Sequence, residues 1–395
     1  MSRGTSEARM RVIEGERVPI YVWGDDIDEG TLAQARNLAA LPFAHHHVVL
    51  LPDAHVGYGM PIGGVLAAKG QVIPHAVGLD IGCGVRVWDT GVTADEFLAA
   101  RDRVLSRVQS AVPTGFDWHD RPQTDRTDLF DDVPDASPLL AEVERAKRQV
   151  GTLGGGNHFI EFQKDGEGRV WAMLHSGSRN LGKQMAEHYD RIAKAENART
   201  RSVVPPQWGL AHLAVESDAG REYMEVMDFC MRFAKENRRL IQEAVQDAVE
   251  SAIPSAVPGE TCDVHHNYAS VERHFGEEVV VHRKGAVRAV GTVVIPGSMG
   301  TASYIAEGLA SKDSFESCSH GAGRAMSRKA AKKRFAVAAV YEDLRGRGVE
   351  LRAKRKKDVA EEAAGAYKDI EDVMRHQADL VRPRIRLIPL AVVKA

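Results

Sequence analysis

Strand-length apolar runs and longer runs with helical spacing mix along the whole of this 395-residue sequence, which predicts an α+β fold built on one composite core. Two further observations support a single catalytic domain spanning residues 1–395. No internal repeat recurs along the chain, and no Pro/Gly/Ser-rich linker divides it. The hydrophobic fraction of 44% and charged fraction of 27% suit a globular protein with a substantial core. A net charge of -3 argues against a generally basic nucleic-acid coat while permitting a local basic groove.

Taken in order, Met1 to Glu16 is polar and mixed in charge, without the apolar centre of a signal peptide. Val48 to Leu51 and Gly64 to Ala68 read as buried strands between Gly/Pro punctuation. Phe116 to Pro138 is rich in Asp, Arg and Pro and reads as a long surface loop facing substrate. Leu139 to Val150 is helical in pattern, stopped by the Gly154 triplet. About Asp218 to Ile253 is the clearest helix, with Asp218 as its cap and Pro254 closing it. From Glu278 to Pro296 two valine-rich strands bracket a turn at Arg283-Lys284-Gly285, and a second helix is expected from about Gly323 to Arg345. No apolar run reaches the roughly 20 residues that span a bilayer. The four cysteines lie far apart with no CxxC pair, so the plain reading is a reduced, cytoplasmic enzyme.

Chemistry-bearing side chains sit in short segments, most of them glycine-rich. Asp80 and Cys83 share one turn; His158 follows Gly154-Gly155-Gly156-Asn157; His175 ends an apolar strand. Carboxylate, thiolate and imidazole are the side chains that bind transition metals. His265 and His266 would point to opposite faces of an extended chain, so one of the two is the candidate ligand. Each residue alone also fits a turn, a core position or a capping role. A thiolate with imidazoles favours zinc, and an added carboxylate admits manganese or iron.

Two loops suit anions. Pro296-Gly297-Ser298-Met299-Gly300-Thr301-Ala302-Ser303 follows a strand and is expected to lead into a helix, offering N–H groups and hydroxyls to phosphate. His320-Gly321-Ala322-Gly323-Arg324 also precedes a helix, where His320 could attack phosphorus and Arg324 could stabilise developing charge. The basic stretch from Arg324 to Lys357 is either a solvated face or a track for a nucleic-acid backbone.

Together these segments resemble the RtcB family of RNA ligases, which join a 3'-phosphate or 2',3'-cyclic phosphate end to a 5'-hydroxyl end using GTP. The motifs run in order over nearly the whole chain. Leu51-Pro52-Asp53-Ala54-His55-Val56-Gly57 comes first, then Val77 to Gly84, Gly151 to Glu161, the His175 and His266-Asn267 segments, His282 to Ala286, the Gly297 and His320 loops, and the tail Ala366-Tyr367-Lys368-Asp369 with Val393-Lys394. The resemblance implies layered sheets flanked by helices around a central metal cleft. It implies two manganese ions held by Asp80, Cys83, His158, His175 and His266. It also implies His320 as the nucleophile that takes GMP from GTP and passes it to the RNA 3'-phosphate. GTP would be held by Asn157, His158, Phe159, Ile160, Glu161, His266, Asn267, Pro296, Gly297, Ser298, Met299, Ser303, His320, Gly321, Ala322, Gly323, Tyr367 and Lys394. RNA with such ends and an archease-type activator are the implied partners, in tRNA splicing or RNA repair. Two departures stand out: the chain ends Lys394-Ala395 where the family ends Lys-Gly, and Asn180 replaces a frequent Gly. A metal-dependent cyclic phosphodiesterase without ligation would use the same ligands, and only His320 and the tail separate it from a ligase. A non-catalytic RNA-end binder would have no need of the reactive residues.

Overall fold

The computed structural model describes residues 10–395; the polar N-terminal stretch lies outside them up to residue 9. Strands and helices mix throughout, as an α+β fold requires. One six-stranded sheet runs, side by side, through Arg11–Ile13, Ile20–Val22, Ala44–His55, Ile62–Ala68, Glu277–Lys284 and Asn267–His274. The other is eight-stranded: Thr261–His265, Gly84–Thr93, Arg169–Ser176, Phe159–Lys164, Val381–Lys394, Ser303–Leu309 and Val290–Ile295, with Glu350–Ala353 pairing parallel to Val381–Lys394.

Side-chain alternation sorts residues between layers. Val85, Val87, Trp171 and Met173 of the larger sheet meet Val49, Leu51, Val65, Val279 and Val281 of the smaller one in a shared apolar cluster. Their neighbours Trp88, Ala172 and Leu174 face the other way, against Val104 and Leu105 of helix Ala94–Ala111 and Ile241, Val245 and Val249 of helix Asp218–Ala252. On the far side of the smaller sheet, Val48, Leu50 and Leu66 pack on Ala35 and Leu38 of helix Glu29–Ala39. The order is therefore helix, sheet, sheet, helices. Each fully buried Val, Leu or Met contributes about 1.5–3 kcal/mol of transfer free energy.

Several sequence expectations are corrected. The long helix is capped by Ser217, whose hydroxyl accepts the Gly220 N–H, and not by Asp218. The expected helix from Gly323 to Arg345 is broken into Arg328–Arg334 and Val337–Gly346, because Phe335 is extended between them. Leu139 to Val150 splits similarly into Ser137–Leu140 and Val143–Gln149. The Pro296 to Ser303 loop enters the strand Ser303–Leu309 and no helix, so no helix dipole serves it. The polar Arg283-Lys284 pair lies inside a strand, with Arg283 fully buried on Glu272; the turn is confined to Gly285. Phe116 to Pro138 is a long connection, but Leu129 and Ala136 anchor it in the core beside the long helix. No helix among the described residues is long and apolar enough to cross a membrane.

Candidate metal centre and adjoining cavities

Four strand ends meet at one level of the larger sheet. Its register sets Gly84 beside Ser176 and His265, and Phe159 beside His175. Cys83, His158, His175 and His266 lie at or next to these positions and are all buried. The Cys83 Sγ is 3.2 Å from His175 Nε2 and 3.6 Å from His158 Nε2, and His175 Nε2 is 3.3 Å from His266 Nε2. Asp80 Oδ2 stands 3.0 Å from His158 Nε2. Two triads result, Cys83-His175-His266 and Asp80-Cys83-His158, which share the Cys83 sulfur. His265 points elsewhere, its Nδ1 lying 3.1 Å from Arg238.

The donor chemistry fits cations. His158 Nδ1 faces the Leu153 carbonyl at 2.9 Å and His175 Nδ1 faces the Asn157 carbonyl at 3.2 Å. A carbonyl only accepts, so both Nδ1 atoms carry the proton and both Nε2 atoms present lone pairs to the cluster. The His158 lone pair then confronts the Asp80 carboxylate, a repulsion that a proton or a cation between them relieves. Burial, then the neighbouring imidazoles of His158 and His320, hold His175 well below the usual histidine range; burial, then the imidazoles of His320 and His175, do the same for His266. Burial and the Asp80 carboxylate push the Cys83 thiol well up, so a bound cation would take the place of its proton.

Supports come from segments the sequence did not single out. Arg238 of the long helix is fully buried and binds Asp263 through Nε (2.9 Å) and an NH2 group (2.7 Å), while its other terminal nitrogen donates to Gly82 O (3.0 Å) and Ser176 O (2.9 Å). Its neighbour Asn237 accepts the Gly151 and Thr152 N–H groups and donates to Ser176 Oγ and Gly177 O. Polar residues inside the apolar stripe of that helix were the available signal. Ser178 N–H donates to Asp80 Oδ1 at 3.0 Å, and Gly177 lets that carboxylate in, since a Cβ there would lie 2.2 Å from it.

His320 adjoins the cluster, its ring centroid 4.9 Å from that of His266. Its Nδ1 lies 2.6 Å from Asp53 Oδ2, which also accepts the His320 main-chain N–H at 3.1 Å. An ionised carboxylate only accepts, so Nδ1 carries the proton and Nε2 is the free nitrogen. Asp53 had been visible only as part of a motif. Gly323 is needed beside it: at φ +70, a Cβ there would meet Asp53 O at 2.2 Å.

A cavity of about 630 Å³ opens from His175 and His320. Asn157, Phe159, Glu161, Pro296, Gly297, Ser298, Met299, Ser303, Gly321, Ala322, Gly323, Tyr367 and Lys394 all line it. Ile160 does not, because strand alternation sends its side chain into the apolar cluster behind. Asn267 is also off its wall, donating to Asp80 O and accepting the Gly285 N–H. Glu362, which the sequence reading missed, organises the far end. Its carboxylate takes Lys394 Nζ (3.2 Å), Tyr367 OH (2.6 Å) and Arg324 (3.3 Å). Arg324 is thereby engaged in the wall and also lies over the Tyr367 ring. Burial raises the Glu161 carboxyl to about 8, against the hydrogen bond from Gln163 and the Lys394 charge.

A second cavity, of about 730 Å³, opens from Asp80 and His158. Arg145, Arg179, Lys183, Arg328 and Arg355 make it basic, Phe116 and Trp118 give it aromatic faces, and Ala395 and Asn180 stand on its wall. Asn157, Arg328 and Lys394 border both cavities.

A family model described as "tRNA-splicing ligase RtcB" matches residues 34–137 and 132–395 of the chain. The chain is 36% identical to "RNA-splicing ligase RtcB" of Escherichia coli (strain K12) over 405 residues, covering 96% of this chain and 98% of that protein. It is 35% identical to "tRNA-splicing ligase RtcB" of Thermococcus kodakarensis over 460 residues, covering 96% and 95% of the two chains. It is 33% identical to "RNA-splicing ligase RtcB" of Mycobacterium tuberculosis (strain H37Rv), covering 91% of this chain and all of that one.

Proposed function

The chain belongs to the RtcB family, and we propose on that footing that it is a GTP- and manganese-dependent RNA ligase. It joins an RNA 3'-phosphate or 2',3'-cyclic phosphate end to a 5'-hydroxyl end. The observation that carries this reading is His320: its Nδ1–H is fixed by Asp53, its Nε2 is free, and it stands between a nucleotide-sized cavity and the metal-type cluster.

Cys83, His175 and His266 would hold one ion, and Asp80, Cys83 and His158 the other. Bound there, manganese supplies charge neutralisation at the α-phosphate and orients the leaving group. The remaining steps belong to the protein's own side chains. His320 Nε2 attacks the α-phosphorus of GTP, a P–N bond forms, and the bond to pyrophosphate breaks. The Asp53 carboxylate stabilises the cationic ring that develops. The RNA 3'-phosphate then takes GMP from His320, becoming an activated diphosphate end. The 5'-hydroxyl attacks that end and GMP departs. Guanine contacts fall to the Glu362-ordered group of Tyr367 and Lys394, with Glu161 alongside. RNA would lie in the second, basic cavity.

The direct test supplies manganese, GTP and pairs of RNA fragments, one ending in a 3'-phosphate or a 2',3'-cyclic phosphate and the other in a 5'-hydroxyl, with and without an archease-type activator. The wild type joins them, and His320→Ala does not. A His320→Ala chain that still ligates would refute the nucleophile, and a wild type that only opens cyclic ends would mark a phosphodiesterase.

A further inference from the structure

We propose that Lys368 is a positioning residue for the nucleophile: its ammonium fixes the backbone that carries Asp53, and through Asp53 it sets the His320 ring for attack. This rests on the ligase reading above and extends it to a residue with no assigned role.

The segment bearing Asp53 lacks ordinary sheet support. The ladder between Ala44–His55 and Ile62–Ala68 pairs Leu50 with Gly64 and next His55 with Ile62, breaking between. Pro52 has no N–H to give. Asp53 itself is fully buried, and its Oδ1 has no hydrogen-bond partner among the described residues. Among the described residues the carboxylate is held through Oδ2 alone, by the His320 Nδ1 and main-chain N–H. Its aim therefore depends on where the backbone on either side of it is held.

Lys368 holds that backbone. Its Nζ donates to Ala54 O at 2.9 Å and Pro52 O at 3.1 Å, the two carbonyls flanking Asp53, and to Asp26 O at 2.7 Å. An ammonium has three N–H donors, and all three are spent on main-chain oxygens. The Lys368 main-chain N–H donates to Gly323 O at 3.0 Å, on the loop just beyond His320. One residue thus grips both partners of the Asp53–His320 pair. Lys368 also brings a positive charge close to a carboxylate that no arginine or lysine among the described residues pairs directly.

The test compares the full-length wild type with Lys368→Met, which keeps the bulk of the side chain and removes its donors and charge. Three quantities are measured with manganese present: the rate of protein labelling by α-labelled GTP, the GTP concentration giving half that rate, and the sealing of an RNA already carrying a guanylylated 3' end. The last step bypasses His320. Labelling should slow on the order of tenfold to a hundredfold, as for a catalytic group displaced by a fraction of an ångström. The half-saturating GTP concentration and the sealing of the preactivated end should stay at wild-type values. Labelling at the wild-type rate would overturn the proposal. Equal losses of labelling and sealing would also overturn it, making Lys368 a general scaffold residue. A wild type that takes no label, though it binds manganese and is supplied with an archease-type activator, would instead bring down the ligase reading.

Discussion

At the scale of single residues, the candidate reactive groups were easier to find than the groups that hold them in place. Asp80, Cys83, His158 and His175 stand out only taken together: each alone fits a turn, a core position or a cap, but several ligand-type side chains in glycine-rich segments and at a strand end point to one site. Spacing alone left His265 and His266 open and the family resemblance pointed to His266; in the fold His265 turns to Arg238 and His266 to the cluster. Asp53, Glu362 and Lys368 act across long stretches of chain, on His320, Lys394 and Asp53 respectively, and no local pattern announces such partners. Glu161 yields a prediction at this scale. Burial raises its carboxyl to about 8 from an ordinary 4.5, so between those values the folded chain keeps a proton that the unfolded chain releases. Stability contributed by this group is therefore lost as pH rises from about 5 to 8. Glu161→Gln cannot titrate, so the Tm of the wild type minus that of the variant should fall across this range. A difference constant with pH would contradict the assignment.

At the scale of elements, periodicity located the strands Ala44–His55 and Ile62–Ala68 and the helix Asp218–Ala252 to within a few residues. It misjudged the elements whose ends are set by distant contacts. The Ala/Lys-rich run after Ser327 reads as one helix, yet Phe335 leaves it to pack beside Gly365, close enough that a Cβ on that glycine would stand 2.9 Å from the ring. The strand after the Gly297 loop, Ser303–Leu309, is claimed by pairing with Val381–Lys394, some eighty residues later. The long helix shows how an element supports a site without entering it, since Arg238 and Asn237 fasten the backbones of the segments that carry the Cys/His cluster. Arg238→Met would leave Asp263 buried with only the weaker Arg86 contact. The expected cost is about 3–5 kcal/mol in denaturant unfolding, together with loss of bound manganese. A cost below about 1 kcal/mol, the value of an exposed pair, would show that the buckle is dispensable.

At the scale of the whole molecule, stacking two sheets brings residues from Asp53 to Ala395 to one centre with a cavity on either side. The sequence supplied the α+β class, while the face-to-face packing of the two sheets was not written in any one segment. Division of the site into two cavities implies separable binding. Phe116 is 84% exposed beside Arg355, at the basic cavity and away from the nucleotide loops. A Phe116→Ala, Arg355→Ala double variant should weaken RNA binding by about 1–3 kcal/mol per lost stack and flatten its salt dependence. Its rate of guanylylation should remain that of the wild type. Equal loss of both would merge the two cavities into one functional unit.

A covalent bond between GMP and His320 is the first product expected of the proposed ligase, and the most direct measurement is to look for it. The purified chain is incubated with manganese and α-labelled GTP, and the label is tested for loss in acid and survival in alkali, with the labelled peptide then sequenced. The expectation is a label of that profile on His320, absent from His320→Ala. A label on another residue, or none from a chain that binds manganese and is supplied with an archease-type activator, would contradict it.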